Sequence, residues 1–252
     1  MKTTIEHNSN TYQINLSQPL DISMPLKSGK ENPTAWYVNA PSFEAVMENG
    51  FVGDVNLGGA VNFRNIFFNP HGHGTHTECV GHISKEPYTI NQCLKEFFFL
   101  ANVVSITPEK QGDDRVITLA QIKKVFKKNR AKAFVIRTLP NVKDKLTMQY
   151  SSTNPAFMEE KAVQYLIDNG IDHLLIDTPS IDKEEDGGAL ISHHTFWEYP
   201  INTQTHRTIS ELIFVPDSIL DGTYFINIQI ASFENDASPS KPILYNILSE
   251  MG

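Results

Sequence analysis

Cysteine is almost absent: Cys79 and Cys93 are the only two in 252 residues, which excludes a disulfide framework. Long apolar runs are missing too. The longest, Phe97 to Val104, is broken by Asn102 and is too short to cross a bilayer, so no membrane partner is expected. Positive charge is in deficit, with 21 Lys and Arg against 29 Asp and Glu and a formal net charge of −8. A chain without a basic stripe is a poor neutraliser of phosphates, so nucleic acid is not an expected partner either. The opening MKTTIEHNSN is polar and lacks the apolar stretch of a secretory leader, so the expected localisation is cytoplasmic. No repeat, low-complexity tract or long Gly/Ser/Pro linker divides the chain, and a single domain over residues 1–252 is the expectation.

What is present is an ordinary globular composition, 40% apolar and 20% charged. Strand-like runs occur at Tyr12 to Leu16, Val61 to Phe68, Phe97 to Ile106, Ala133 to Thr138, His173 to Asp177 and Tyr224 to Ala231. In the last, Ile226, Ile228 and Ile230 alternate with polar neighbours, as in a half-buried strand. The runs AFVIRT and HLLID are short and almost wholly apolar, which suits strands covered on both faces. Thr118 followed by Gln121 is a capping-box pattern that opens a helix through LAQIKKVFKKN. Asn154, Pro155 and Gly170 bracket a second expected helix as N-cap, first position and C-terminal stop. Strand, helix, strand in that order reads as a βαβ unit inside a mixed α/β domain.

Four of the nine histidines, His71, His73, His76 and His82, crowd into NPHGHGTHTECVGH. Gly72 and Gly74 let the backbone turn tightly enough for neighbouring imidazoles to converge. If this stretch is a strand, His76 and Glu78 point to the same face and can share a cation. Mixed nitrogen and oxygen donors suit Zn²⁺, Mn²⁺ or Fe²⁺ better than Ca²⁺ or Mg²⁺. The same residues also suit a polar loop whose histidines cap backbone groups.

The segment is similar to the signature of the cyclase family, H-x-G-T-H-x-D-x-P-x-H, a family that includes bacterial kynurenine formamidase and isatin hydrolase. Gly74, Thr75, His76 and His82 match in register, with Glu78 at the acidic position. Five further segments resemble the family in order: INLSQPL (14–20), IDTPSID (176–182), SHHTFW (192–197), RTISEL (207–212) and SPSKP (238–242). The resemblance implies a mixed-sheet, swivelling β/β/α-type domain that forms homo-oligomers, dimers or tetramers. It also implies a divalent metal cofactor, zinc or manganese, as one or two ions. The implied ligands are His76, Glu78, Glu211 and one of His193 and His194, with His193 favoured by the register of Phe196 and Trp197. His82 falls on a proton-shuttling histidine, a task suited to a side chain that titrates near neutrality.

This chain departs from the signature at three points. Gly72 stands where the family has its first histidine, leaving His71, or else His73, to supply that ligand. Glu78 replaces an aspartate and so reaches one methylene further. The stretch between His193 and Glu211 is longer than usual, which implies an inserted loop around residues 199–205. Trp36 is a candidate for stacking on an aromatic substrate, or else a core aromatic. The activity implied is hydrolysis of a small-molecule amide, first of all an arylformamide such as N-formylkynurenine, a substrate of tryptophan catabolism. Lactam or lactone ring opening, dehydrative cyclisation and metal binding without catalysis are the other readings.

Overall fold

In the computed structural model, which describes residues 1–7 and 9–251, seven strands close into a barrel. An N-terminal hairpin, β1 (Lys2–His7) and β2 (Asn10–Asn15), pairs onto its edge. The barrel strands are β3 (His76–Glu78), β4 (Phe98–Ile106), β5 (Ala133–Thr138), β6 (His173–Ile176), β7 (Thr208–Glu211), β8 (Gly222–Ile230) and β9 (Ala237–Met251). Around the barrel their order is β9, β8, β4, β5, β6, β7, β3, and β3 closes the ring by pairing with β9. The run β4, β5, β6, β7 is parallel, and the remaining pairings are antiparallel.

Closure explains the apolar runs. In a strand successive side chains face opposite ways. Val135 and Leu175 therefore join Val103 and Ile226 in one cluster enclosed by the ring. Their neighbours Phe134, Ile136, Leu174 and Ile176 face a second core under three helices. Those helices are α1 (Leu119–Val125), α2 (Glu160–Asp168) and α3 (Ile191–Trp197), which contribute Ile122, then Val163 and Leu166, then Phe196 and Trp197. Neither face of β5 or β6 meets water, so polar alternation has no place in them.

The expected capping box at Thr118 and Gln121 is present, although α1 stops at Val125 and the lysine-rich residues after it are not helical. The second helix begins five residues later than its flanking signals imply. Phe157–Met158 forms instead a short strand parallel to Val116–Ile117, and that pairing uses the backbone groups a helix would need. Asn154 adopts φ +48° and binds Asp113 and Asp114 through its amide, so it caps no helix. Gly170 does stand just past the helix end, at φ +83°. The βαβ unit is as expected, with β5 and β6 parallel. Among the described residues, no helix is long and apolar enough to cross a membrane.

Candidate metal centre

Strand β3 is the hub. His76 and Glu78 lie on one face of it and are fully buried, while Thr77 points the other way and bonds to Ser210 Oγ at 2.6 Å. His76 pairs in register with Glu211 on β7, and Glu78 with Ala237 on β9. Register therefore sets His76 Nε2 at 3.5 Å from Glu211 Oε2. Gly74 supports the approach to this strand at φ +76°, and its carbonyl accepts from His76 Nδ1 at 3.1 Å.

Three imidazoles share one pattern: one nitrogen is held by an oxygen acceptor and the other faces the cluster. His76 Nδ1 is held by Gly74, which leaves Nε2 inward. His193 Nδ1 donates to Asp182 Oδ2 at 2.7 Å, and its Nε2 lies 3.2 Å from Glu78 Oε1 and 3.7 Å from Glu211 Oε1. His71 Nε2 lies 2.7 Å from Asp236 Oδ2, and its Nδ1 lies 3.0 Å from Glu78 Oε2. Carboxylate or carbonyl support of this kind fixes the tautomer and aim of a metal-ligating histidine. Glu78 sits between, with one oxygen toward His71 and the other toward His193. The Ile181 N–H donates to Glu211 Oε1 and orients that carboxylate.

The electrostatics tell the same story. Burial by itself would lower the pKa of His71, but Asp236 and Glu78 outweigh it and raise the imidazole to about 10. Burial likewise disfavours charge on His193, and Asp182, Glu78 and Glu211 together bring it to about 10. Burial pushes the Glu78 carboxyl up, yet His82, His193 and His71 hold it well below its usual range. Four carboxyl groups thus draw positive charge into a buried pocket. A divalent cation would supply that charge in place of two protons.

The residues present fit such a cation. His76 Nε2 is buried without a hydrogen-bond partner, which is costly unless something else satisfies it. Donor atoms of His71, His76 and Glu78 lie within 4.8 Å of one another, as do those of Glu78, His82 and His193, and those of His71, His82 and Asp236.

Of the two candidates for the first ligand, His71 lies in the cluster. His73 has its Nδ1 occupied by the Asn69 N–H and belongs to none of the three groups. His193 likewise faces inward, whereas His194 bonds to the Tyr199 carbonyl. His82, half-exposed at the end of a 3₁₀ turn (Val80–His82), stacks at 4.2 Å on His71, with Nδ1 at 3.4 Å from Asp236 and 3.9 Å from Glu78. Trp36 sits at φ +60° and packs with Tyr150 and with Leu212, the residue after Glu211. The residues 199–205 run from the end of α3 back to β7. Asp177, close in sequence to Asp182, pairs with Lys145 and Thr138.

Asp236 carries no local sequence signal. It comes beside His71 and His82 only because β9 pairs with β3, with its carbonyl accepting the Cys79 N–H.

A seven-stranded mixed barrel carrying an inward-facing cluster of histidines and carboxylates describes a class of α/β proteins with a candidate metal centre. The family model for the cyclases matches residues 14–183, and this chain belongs to that cyclase family. Its fold is similar to that of a protein described as a potential metal-dependent hydrolase with cyclase activity, at a TM-score of 0.66 and 18% identity over 92% of this chain and 99% of the other. It is also similar to an isatin hydrolase bound to the product analogue thioisatinate, at 0.68 and 14% over 91% and 92%. Isatin hydrolase A from Labrenzia aggregata matches at 0.67 and 14% over 91% and 94%. No curated protein matches the chain in sequence.

Proposed function

We propose that the chain is a metal-dependent hydrolase of a small amide, with His71, His76, Glu78, His193 and Glu211 as ligands and His82 as the proton-transfer group. The observation that carries this reading is the shared aim of three supported histidines at two carboxylates, with the buried His76 Nε2 left unpartnered. A divalent ion bound there would polarise the scissile carbonyl and make a water acidic near neutral pH. Glu78 presents one oxygen to His71 and the other to His193, and would hold the metal together with them. Asp182 and Asp236 hold the imidazoles His193 and His71 in the tautomers that ligation requires. His82 stands at the solvent side with Nδ1 beside Asp236, placed to carry a proton to the leaving nitrogen. Trp36 offers a ring at the border of the site for an aromatic substrate.

The substrate class favoured is an arylformamide such as N-formylkynurenine. A cyclic amide is the second reading, favoured by the likeness of the fold to isatin hydrolases. The purified chain loaded with Zn²⁺ or Mn²⁺ is offered formylated anilines and isatin side by side. Hydrolysis of either, lost in Glu78→Gln and with the chelated protein, supports the reading. Full activity in Glu78→Gln would place the chemistry elsewhere.

A second copy of the chain is the expected partner. Residues 42–67 build two small ribbons that leave Phe51, Leu57, Phe63, Ile66 and Phe67 at least 44% exposed. Apolar surface of that kind is suited to a protein contact. Sedimentation velocity showing only monomer at micromolar concentration would argue against it.

A further inference from the structure

A cavity of about 640 Å³ opens at the ends of β5 and β6, and none of its lining residues belongs to the metal cluster. It adjoins that cluster, because Thr178 in its wall accepts the Leu212 N–H next to Glu211. Its volume is in the range of small-molecule sites. Most of the wall is apolar, with Pro108, Leu139, Val142, Met148 and Pro155 contributing. The buried Lys145 and Asp177 also line it, but they satisfy each other and Thr138, with Lys145 Nζ at 2.9 Å from Asp177 Oδ2 and 2.6 Å from the Thr138 carbonyl. They leave no donor over for a ligand.

Three other donors are left over. Tyr150 is only 5% exposed, lines the cavity, and its hydroxyl has no hydrogen-bond partner among the described residues. Burial pushes this phenol above its usual range, so it remains a donor. Arg115 spends one N–H on the Asn154 carbonyl and has the rest free. Lys110 stands directly across from Arg115 in the antiparallel ribbon Glu109–Gln111/Asp114–Ile117. Two like charges in a facing cross-strand pair repel each other. An anion between them turns that repulsion into attraction, and Asp113, the one carboxylate of the wall not already paired with Lys145, does not cancel both.

We infer that this cavity is a second ligand site, for a small organic anion whose carboxylate meets Tyr150, Arg115 and Lys110 and whose apolar body lies on the proline-rich wall. The inference stands apart from the hydrolase reading, since no metal ligand takes part.

The test uses 4-bromobenzoate on the full chain, followed by calorimetric titration, with bromine anomalous scattering from soaked crystals to locate it. One site per chain is expected, with the bromine inside the cavity. Arg115→Gln and Lys110→Gln each weaken binding about tenfold, as loss of a charge-assisted contact should. Both residues are exposed, so these variants fold. Tyr150→Phe weakens binding several-fold, and Glu78→Gln leaves it unchanged even if the protein proves to have no hydrolase activity. The inference is overturned by absence of saturable binding through the millimolar range, by affinity indifferent to Arg115 and Lys110, or by bromine only at the metal cluster, at Trp36 or on the 42–67 ribbons.

Discussion

Asp182 should matter twice, once to the fold and once to the metal. Its Oδ2 accepts from His193 Nδ1 at 2.7 Å and from the His193 backbone N–H at 3.0 Å, and its Oδ1 accepts from the Ser192 N–H at 2.8 Å. The two backbone donors belong to the first turn of α3, whose own N-cap, Leu190, has no side chain able to serve them. Asp182→Ala thus removes a helix cap supplied from outside the helix, worth about 1 kcal/mol. It also removes a charge-assisted bond to a buried imidazole, worth about 1.5–3 kcal/mol. The metal-free variant should lose about 2.5–4 kcal/mol, read by urea denaturation. With its imidazole unheld, His193 should cost the protein roughly 10- to 100-fold in zinc affinity, read by competition with a chromogenic chelator. Asp182→Asn keeps one acceptor oxygen and should fall between the two. Wild-type zinc affinity in Asp182→Ala would refute the idea that this carboxylate sets the aim of His193.

Other outcomes follow from single contacts. His173 is buried against Phe99, and burial lowers its pKa from 6.5 to about 3. Above pH 6.5 it is neutral in both states and stability is unaffected. As pH falls below 6.5 the unfolded chain takes up a proton that the native state refuses until about pH 3. Stability should therefore drop by about 2 kcal/mol between pH 7 and pH 5, and His173→Gln should remove that part of the slope in urea midpoints. At Gly81 an added Cβ would meet the Tyr88 carbonyl oxygen at 2.0 Å, a backbone atom that cannot swing aside. Gly81→Ala should lose at least about 2 kcal/mol and weaken metal binding through the neighbouring Asp236, as equilibrium dialysis would show. Thr118→Ala breaks the capping box of α1 and should lower stability by about 1 kcal/mol in thermal or urea unfolding, with metal affinity unchanged.

Much of the scaffold was legible in one dimension. The apolar runs at β5 and β6 and the alternation of β8 follow from period-2 geometry, and the capping box of α1 is a local pattern that needs no distant partner. The start of α2 was not legible, because pairing of Phe157–Met158 with Val116–Ile117 is a tertiary event that overrides local helix signals. Within the site, the convergence of His76 and Glu78 was readable for the same reason as the strands: they are two residues apart.

What the sequence by itself determined, then, is chemistry and local geometry. It names the donors, spaces two of them on one face, and supplies glycine where the chain must turn. Only the tertiary structure decided which donors meet. His71 enters the cluster and His73 does not because the loop before β3 directs one ring at Glu78 and ties the other to Asn69. His193 faces inward because Asp182 grips both its ring and its helix end. Asp236 arrives from far along the chain through closure of the barrel between β3 and β9. Side-chain aim depends on backbone pairing between distant segments, and that information is not local to any residue.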